Sequence, residues 1–293
     1  MCLATSYTYA DAVKKKICCK CPVRQGGEAH ILNSLKIGEI IGRGGFGVVQ
    51  KCYWRGSTFA LKCFHHKWTK SRAFHESYEA EKSVIKLNHP NIVRTFQVFQ
   101  SGYRNYVLME YVAGRTLQEV IDDPREPIGK RRRYEICADI ARGLQHAHRH
   151  NIAHLDLKPA NILVTAVGGV CKVADFGCCT NVGENNSPST PTKSNLTGTY
   201  AYRAPELLRG ETATLKADLY SFGICMWQLL VRDRPYGREH HQVIIFKVVA
   251  YNHRPEIPTG LDRDIIYETL LKQCWRTERE SRPDIEDVIT RLT

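Results

Sequence analysis

The chain has 293 residues, of which 43% are hydrophobic and 25% are charged. This length fits one large domain or two lobes, and the composition excludes a disordered or fibrous chain. The longest apolar run, at residues 219–231, is too short to span a bilayer, and the amino terminus lacks the basic-then-apolar order of a secretory signal. We therefore expect a cytoplasmic protein without a membrane segment, whose twelve cysteines are reduced thiols.

The formal net charge of +12 is a reason to consider nucleic-acid binding, which depends on clustered lysines and arginines. The basic residues lie in separate short runs, such as residues 14–16 and 130–133, and no helix-turn-helix, zinc-finger or aromatic stacking motif accompanies them. Acidic protein or phosphate partners fit the charge equally well. The sequence thus predicts a protein partner and no specific nucleic acid.

Residues 1–33 show neither helical nor strand periodicity, and we interpret them as an irregular leader. Cys18, Cys19 and Cys21 lie within this leader. Such a cluster could contribute zinc ligands, although it lacks the second pair of ligands that structural zinc sites use. Exposed thiols without a metal explain the same three residues, and both interpretations stay open.

Residues 34–111 contain short alternating and β-branched runs, interrupted by one helical pattern at residues 71–87. This predicts a β-sheet with a single helix. Near its start, Gly42, Gly44 and Gly47 form the spacing G-x-G-x-x-G. A dinucleotide-binding fold would continue into a helix, whereas here the strand-like VVQKCY follows. We therefore expect a hairpin whose glycines let the backbone close over phosphates.

The next strand signal, FALK at residues 59–62, brings Lys62 to one face of this sheet. An ammonium in that position would hold the α- and β-phosphates of a nucleotide. Two glutamates of the predicted helix are candidates for its counter-ion. Apolar residues lie three and four positions after Glu81, whereas polar residues occupy those positions after Glu79. Helical spacing therefore places Glu81 on the inward face, and we choose it as the partner.

Residues 115–293 change to longer runs of helical period, including residues 132–150 and the apolar residues 215–231. A small β-rich lobe at about residues 34–111 is thus followed by a larger, mainly helical lobe. No internal repeat is present in the sequence. The fold class predicted from these patterns is α+β, with two lobes of unequal size.

The larger lobe contains HLDLKPANIL, residues 154–163, and then DFG, which begins at Asp175. Asp156 precedes Asn161 by five residues and Asp175 by nineteen. The two carboxylates and the amide would converge on phosphates that the glycine loop and Lys62 already bind. This combination predicts phosphoryl transfer. Asp156 would accept the proton of the attacking hydroxyl, Lys158 would stabilise the transferred phosphoryl charge, and Asn161 with Asp175 would hold Mg²⁺.

From about Leu35 to its end the chain resembles the eukaryotic protein kinases. Besides the motifs above, GTYAYRAPELL at residues 198–208 is similar to the end of their activation segment, and residues 216–230 to their central buried helix. The resemblance implies a two-lobed protein kinase fold for residues 34–293, and ATP with Mg²⁺ as cofactors. It also implies that Glu206 pairs with Arg282.

The resemblance further implies how ATP is bound. Met109 matches the residue that closes the back of the adenine pocket, and Glu110 and Val112 fall where the backbone binds adenine. The complete set of ATP-binding residues expected from the resemblance is Ile41, Gly42, Arg43, Gly44, Gly45, Phe46, Gly47, Val49, Ala60, Lys62, Met109, Glu110, Val112 and Leu163. Catalytic roles are expected for Lys62, Glu81, Asp156 and Lys158.

Lys158 together with Thr199 is similar to the pattern of serine/threonine-specific kinases, so a protein serine or threonine is the expected acceptor. HLDLKPANIL, DFGCC and GTYAYRAPELL are similar to the Mos kinases, germ-cell kinases of meiosis that act as MAP kinase kinase kinases. This implies a MAP kinase kinase as the substrate. A catalytically weak kinase-fold scaffold and a different serine/threonine kinase of the MAP kinase pathway stay as alternatives.

One residue departs from the common kinase pattern. Most protein kinases have an arginine where this chain has Leu155, and its guanidinium binds a phosphate on the activation segment. Leucine has no donor, so we expect the active arrangement to form without that phosphate, although Thr190, Thr192 and Ser194 lie in the segment. Asp218 is expected to hydrogen-bond the backbone of the loop that contains Leu155.

Overall fold

The fold was analysed in a computed structural model, which describes residues 32–44, 47–65, 72–183, 200–259 and 264–293. In these ranges the chain forms an α+β structure, with a β-rich lobe that contains one main helix and a second lobe that is mainly helical. The predicted fold class is therefore confirmed. None of the helices in the described ranges has the length and apolar character needed to cross a membrane. The cysteine cluster of the leader lies outside the described residues.

The N-terminal lobe is built on a five-stranded antiparallel sheet with the strand order β1-β2-β3-β5-β4. Its strands are β1 (Lys36–Arg43), β2 (Gly47–Trp54), β3 (Ser57–Phe64), β4 (Thr95–Ser101) and β5 (Arg104–Glu110). Aromatic and aliphatic side chains such as Phe59, Leu61, Phe99 and Leu108 are buried together on one face. Such residues favour strands because they pack well on a pleated surface. The predicted hairpin at the glycine loop is confirmed.

Helix α1 spans Arg72–Ser83 and is shorter than the predicted residues 71–87. After it, the N–H of Ile85 donates to the carbonyl of Lys82, and the N–H of Leu87 to that of Val84. These bonds join residues three apart, so the last predicted turn is tightened instead of continuing the α-helix. The difference does not alter the position of Glu81 on the inward face.

The C-terminal lobe is arranged around helix α5, along which all residues from Ala217 to Leu230 are buried. A helix that is apolar on all sides belongs in the centre of a lobe. The helices are α2 (Leu117–Asp122), α3 (Lys130–His148), α4 (Pro205–Leu208), α5 (Lys216–Val231), α6 (His241–Tyr251), α7 (Ile265–Cys274) and α8 (Ile285–Leu292). The helices predicted at residues 132–150 and 215–231 are thus confirmed, with small shifts of their bounds.

Five short strands of this lobe carry the loops with the predicted catalytic residues. They are β6 (Gly114–Thr116), β7 (Ile152–Ala153), β8 (Ile162–Thr165), β9 (Cys171–Val173) and β10 (Thr180–Asn181). Strands β6, β8 and β9 form one small sheet, and β7 pairs with β10. The loop from β7 to β8 contains Asp156, and β9 leads directly to Asp175. Both loops therefore begin and end at hydrogen-bonded strands.

Candidate active site

Lys62 connects three elements of the structure. It lies on β3, and its Nζ is 2.7 Å from Oε1 of Glu81 on α1 and 2.8 Å from Oδ1 of Asp175 after β9. The pairing with Glu81 that the helical spacing predicted is confirmed. The alternative partner, Glu79, instead pairs with Lys82 at 2.7 Å on the exposed side of the helix. The ammonium of Lys62 is thus fixed from both lobes.

The two carboxylates determine the charge state of this lysine. Burial alone would lower the pKa of Lys62, but the charges of Asp175 and Glu81 more than offset it, so the pKa lies above its ordinary value. The Lys62 ammonium in turn holds the pKa of Asp175 below its usual range. At neutral pH the site therefore has a fixed positive charge beside an ionised carboxylate.

Asp156, Lys158 and Asn161 form a second cluster in the loop between β7 and β8. The Nζ of Lys158 donates to Oδ2 of Asp156 at 2.7 Å, and Nδ2 of Asn161 donates to the same oxygen at 3.0 Å. Asn161 Nδ2 also lies 2.9 Å from the backbone carbonyl of Asp156. The other carboxylate oxygen, Oδ1, has no hydrogen-bond donor among the described residues. It is left as an acceptor for an incoming hydroxyl.

The backbone of this loop is held by a single buried carboxylate, Asp218 of α5. Its Oδ2 accepts from the N–H of His154 and its Oδ1 from the N–H of Leu155, each at 2.8 Å. Nε2 of His148, at the end of α3, also donates to Oδ2 at 2.8 Å. The expectation for Asp218 is confirmed. Sequence reasoning missed His148, whose place on the predicted helix gave no signal of this partner.

Leu155 has a left-handed backbone with φ of +63°, a conformation that is strained for a branched side chain. The N–H of Leu155 and the N–H of its neighbour His154 both donate to Asp218, and these bonds hold the backbone in that conformation. The side chain is buried in the main apolar cluster of the C-terminal lobe. Leucine at this position therefore contributes to the core, and it has no group that could bind a phosphate.

The DFG motif is fixed against the same loop. Phe176 is buried with its ring centroid 4.6 Å from that of His154, and Nε2 of His154 donates to the carbonyl of Ala174 at 3.0 Å. At Gly177 a Cβ atom would lie 2.9 Å from Oγ of Ser77 on α1. A Cβ there would require the Ser77 hydroxyl to shift, so glycine allows α1 to pack closely against the motif.

The residues predicted as metal ligands offer oxygen atoms in a suitable state. Asn161 turns its Nδ2 towards Asp156, which leaves Oδ1 without a donor among the described residues. Asp175 uses Oδ1 for Lys62, and its side chain is about half exposed. Amide and carboxylate oxygens are the ligands that Mg²⁺ prefers, and bound phosphates usually complete its coordination. The donor set therefore fits a hard divalent cation held between protein and phosphates.

The residues expected around adenine lie on β3, β5 and β8. Ala60 is buried and is the cross-strand partner of Met109, while Leu163 is partly buried on β8. The N–H of Glu110 donates to the carbonyl of Arg94 at the end of β5, where the chain continues to Val112. Val49, on β2, is the cross-strand partner of Lys62, whereas Ile41 and Arg43 lie on the exposed edge strand β1.

The three glycines of the loop have different local environments. At Gly47 a Cβ would lie 2.4 Å from the carbonyl oxygen of Cys63, so the pairing of β2 with β3 itself requires glycine. At Gly42 and Gly44 a Cβ would make only ordinary contacts, at 3.7 and 3.9 Å. The fold does not explain those two glycines, which agrees with a requirement set by a ligand. Gly45 and Phe46 lie outside the described part of the chain.

Glu206 and Arg282 form a buried, two-pronged ion pair, as expected. Nη1 and Nη2 of Arg282 lie 2.6 and 2.7 Å from Oε1 and Oε2 of Glu206, and both side chains are almost inaccessible to solvent. Arg282 also donates to the carbonyls of Lys216, Arg276 and Thr277. The pair thus joins the start of α4 to the segments around α5 and α8.

Comparison with known proteins agrees with this geometry. A family model described as the protein kinase domain matches residues 35–291. The serine/threonine-protein kinase mos of Patiria pectinifera is 40% identical over 266 residues, which cover 89% of this chain and 75% of that protein. The kinase of the same name from Xenopus laevis is 37% identical over 271 residues, covering 87% and 74% of the two chains. The mouse proto-oncogene serine/threonine-protein kinase mos is 35% identical over 266 residues, covering 84% and 76%.

The chain therefore belongs to the protein kinase family, whose members use ATP and a divalent metal ion to phosphorylate proteins. Within that family it is a Mos-like serine/threonine kinase, since its relatives of that type match more than four fifths of its length. The kinase and transferase class predicted from the sequence is confirmed.

Proposed function

We propose that the chain is a MAP kinase kinase kinase of Mos type, which transfers the γ-phosphoryl group of ATP to serine or threonine of a MAP kinase kinase. The observation that supports the catalytic part is the assembled pair of clusters, Lys62 with Glu81 and Asp175, and Asp156 with Lys158 and Asn161. The substrate class rests on the similarity to the Mos kinases. We also propose that the protein is cytoplasmic and acts in germ-cell meiosis.

In this proposal Asp156 accepts the proton of the acceptor hydroxyl through Oδ1, the oxygen without a donor among the described residues. The hydroxyl oxygen forms a bond to the γ-phosphorus, the bond from that phosphorus to the β–γ bridging oxygen breaks, and ADP leaves. Lys158 lies beside Asp156 and stabilises negative charge on the transferred group. Because Lys158 also donates to Asp156, the same ammonium keeps the carboxylate in place.

Lys62 binds the α- and β-phosphates, and Glu81 keeps it oriented towards them. Asn161 and Asp175 would hold Mg²⁺, which when bound neutralises charge on the phosphates. The adenine ring would lie between Ala60 and Leu163, with Met109 behind it and the backbone of Glu110 and Val112 at its edge. Ile41, Gly42, Arg43, Gly44, Gly45, Phe46, Gly47 and Val49 would cover the nucleotide from the N-terminal lobe.

We infer the same division of the chain that the sequence suggested. Residues 34–293 would form the kinase domain, with the N-terminal lobe at about residues 34–111 and the C-terminal lobe at about residues 115–293. The backbone from Glu110 to Val112 would then have two roles: it would connect the two lobes, and it would bind the edge of the adenine ring. Residues 1–33 would precede the catalytic domain.

The experiment that tests the substrate assignment uses a MAP kinase kinase made inactive by substitution of its own catalytic lysine. It is incubated with the purified full chain and Mg-ATP, and the phosphorylated residues are mapped by mass spectrometry. We expect phosphate on serine or threonine of its activation segment, and none with the Lys62→Met variant as the enzyme. If a generic basic protein is phosphorylated while the MAP kinase kinase is not, the chain is a kinase with another substrate. Phosphate on tyrosine alone would contradict the proposal as a whole.

A further inference from the structure

The end of β5 and strand β9 are joined by an ion pair that the expected ATP-binding residues do not explain. Nζ of Lys172 lies 3.0 Å from Oε1 and 3.1 Å from Oε2 of Glu110. The two side chains are largely buried, with 14% and 23% of their surface exposed. Removing one partner of such a pair leaves the other charge poorly solvated, so the pair constrains the geometry around it.

Glu110 is fixed from a second direction by the segment that precedes β4. The N–H of Arg94 donates to Oε2 of Glu110 at 3.2 Å, and the N–H of Glu110 donates to the carbonyl of Arg94 at 2.8 Å. One residue earlier, the N–H of Val93 donates to the carbonyl of Val173 on β9, also at 2.8 Å. The end of β5, the segment before β4 and β9 are thus one hydrogen-bonded unit.

Lys172 lies where this unit meets both ends of the proposed nucleotide site. Its cross-strand partner on β8 is Leu163, which is expected beneath the adenine ring. Asp175, an expected metal ligand, follows Lys172 by three residues. The ammonium of Lys172 therefore links the backbone that starts at Glu110 to β8, which bears Leu163, and to β9, which leads to Asp175.

We propose that Lys172 is a positioning residue for ATP, acting through Glu110 to fix the backbone of residues 110–112 at the distance from β9 that adenine binding requires. This inference rests on the proposed function, since it assumes that this backbone binds adenine. Lys172 itself touches no part of the nucleotide. Without it, the Glu110 carboxylate draws in water and the adenine-binding backbone shifts, while Lys62 would still bind the phosphates and Asp175 would still hold Mg²⁺.

The test separates the two ends of the nucleotide. Adenosine needs only the adenine end of the site, whereas magnesium tripolyphosphate needs only the phosphate end. In the full chain, Lys172→Met and Glu110→Gln should each raise the KM for ATP and the inhibition constant of adenosine about 10-fold, the effect expected for losing a hydrogen bond between charged groups. In Lys172→Met, the inhibition constant of tripolyphosphate and kcat should change less than about two-fold, because the lost interaction is the same in the ground state and the transition state. The double variant should be no worse than either single one, because both remove the same interaction.

Two further variants complete the experiment. Lys172→Arg keeps the cation and should restore most of the adenosine affinity. Lys247→Met, on α6, breaks a more exposed ion pair of similar length, with Glu239 at 2.8 Å, and should change neither inhibition constant. Unchanged tripolyphosphate binding also shows that a variant is folded.

An equal rise of both inhibition constants in Lys172→Met would mean general loosening and would overturn the positioning role. Unchanged adenosine affinity in both Lys172→Met and Glu110→Gln would overturn it as well. If adenosine does not compete with ATP in the unmodified chain, the assumed adenine site is wrong, and the proposed function fails together with this inference. The failure of the inference alone is therefore distinguishable from the failure of the function.

Discussion

Lys62 and Asp156 lie in different lobes and are held by different kinds of contact. Lys62 is positioned by side-chain ion pairs to Glu81 and Asp175, so that three residues from three separate parts of the chain are joined. The loop that carries Asp156 is held through its backbone by Asp218, a carboxylate with no exposed surface on the most buried helix. We infer that the Lys62 half of the site can lose function without loss of the fold. The Asp156 half cannot, because its loop is anchored in the core by Asp218.

The largest effect is expected for Asp218→Asn. The amide would turn a donor towards N–H groups that now share a carboxylate, and the buried imidazole of His148 would lose its charged partner. We expect a loss of about 3 kcal/mol or more in the free energy of unfolding, because a buried carboxylate that accepts three hydrogen bonds is replaced. Urea unfolding at pH 7.5 measures this. Phosphoryl transfer should fall in parallel.

The matched control for this variant is Asp287→Asn on α8. Asp287 pairs with Arg291 at 2.8 Å on the exposed side of the helix, where such pairs contribute less than about 0.5 kcal/mol. Similar losses of stability in the two variants would show that Asp218 is not an anchor of the core, and the contrast between the two halves of the site would be lost.

Lys62→Met tests the other half. Loss of the ammonium that faces the phosphates should reduce phosphoryl transfer by about 100-fold or more, which is about 2.7 kcal/mol in the barrier. The variant should still unfold cooperatively, with a smaller loss of stability than Asp218→Asn. Steady-state kinetics with Mg-ATP and urea unfolding measure the two quantities on one sample. Lys82→Met, one residue after Glu81 on the same helix, is the control with expected normal turnover. Full activity of Lys62→Met would remove this lysine from the site.

A pH effect is expected where the lobes meet, at His89. Burial is the main cause that lowers the pKa of His89 to about 4, and His146, Lys172 and Arg142 lower it further. Its Nδ1 accepts from the N–H of Asn91, which requires the neutral ring. The unfolded chain, with an ordinary pKa near 6.5, takes up this proton first, so stability should be full above about pH 6.5 and fall as the pH approaches 4.

Since the ring of His89 is partly exposed, solvent screening should limit this loss to roughly 1 kcal/mol between pH 7 and 5. Urea unfolding at the two pH values measures it, and the comparison with His89→Gln isolates the contribution of this residue. The variant should show a flatter dependence of stability on pH over that interval. Identical pH dependence of the two proteins would mean that His89 does not titrate in this way.

The smallest effect is expected for phosphate on the activation segment, because Leu155 is buried in the core and has no cation to offer. A phosphate orders a segment by gaining hydrogen bonds from a cationic partner. Protein made in bacteria and treated with phosphatase should therefore phosphorylate its substrate within a few-fold of the untreated rate. The same holds for the combined alanine variant of Thr190, Thr192 and Ser194, which lie outside the described residues. A drop of about 10-fold, or about 1.4 kcal/mol in the barrier, would reveal a substitute cation.

Local patterns in the sequence were sufficient for much of the fold and for one half of the site. The alternation in FALK predicted that Lys62 lies on a strand. Helical spacing predicted that Glu81, and not Glu79, contacts it. Both inferences used residues close in sequence, where strand and helix geometry fix which side chains share a face. The helix end at Ser83 was missed because tightening of a last turn depends on the packing that follows it.

Contacts between distant residues could not be predicted in the same way. The bond from His148 to Asp218 joins residues 70 positions apart, and the pair of Glu110 with Lys172 joins residues 62 positions apart. Nothing in the local pattern of either residue specifies its partner, because both are decided by how elements pack. Gly47 illustrates the same limit, since it belongs to the glycine motif but is required by the neighbouring carbonyl of Cys63.

The central claim is that these residues form a working phosphoryl-transfer site, and the transfer itself tests it most directly. The purified full chain is incubated with ATP labelled in the γ-phosphoryl group, a divalent magnesium salt and a mixed protein substrate, and the labelled amino acids are identified after acid hydrolysis. The account predicts labelled phosphoserine and phosphothreonine, with no label when the metal is chelated. Normal ATP binding without transfer of label to any protein would contradict it and would identify the chain as a kinase-fold scaffold.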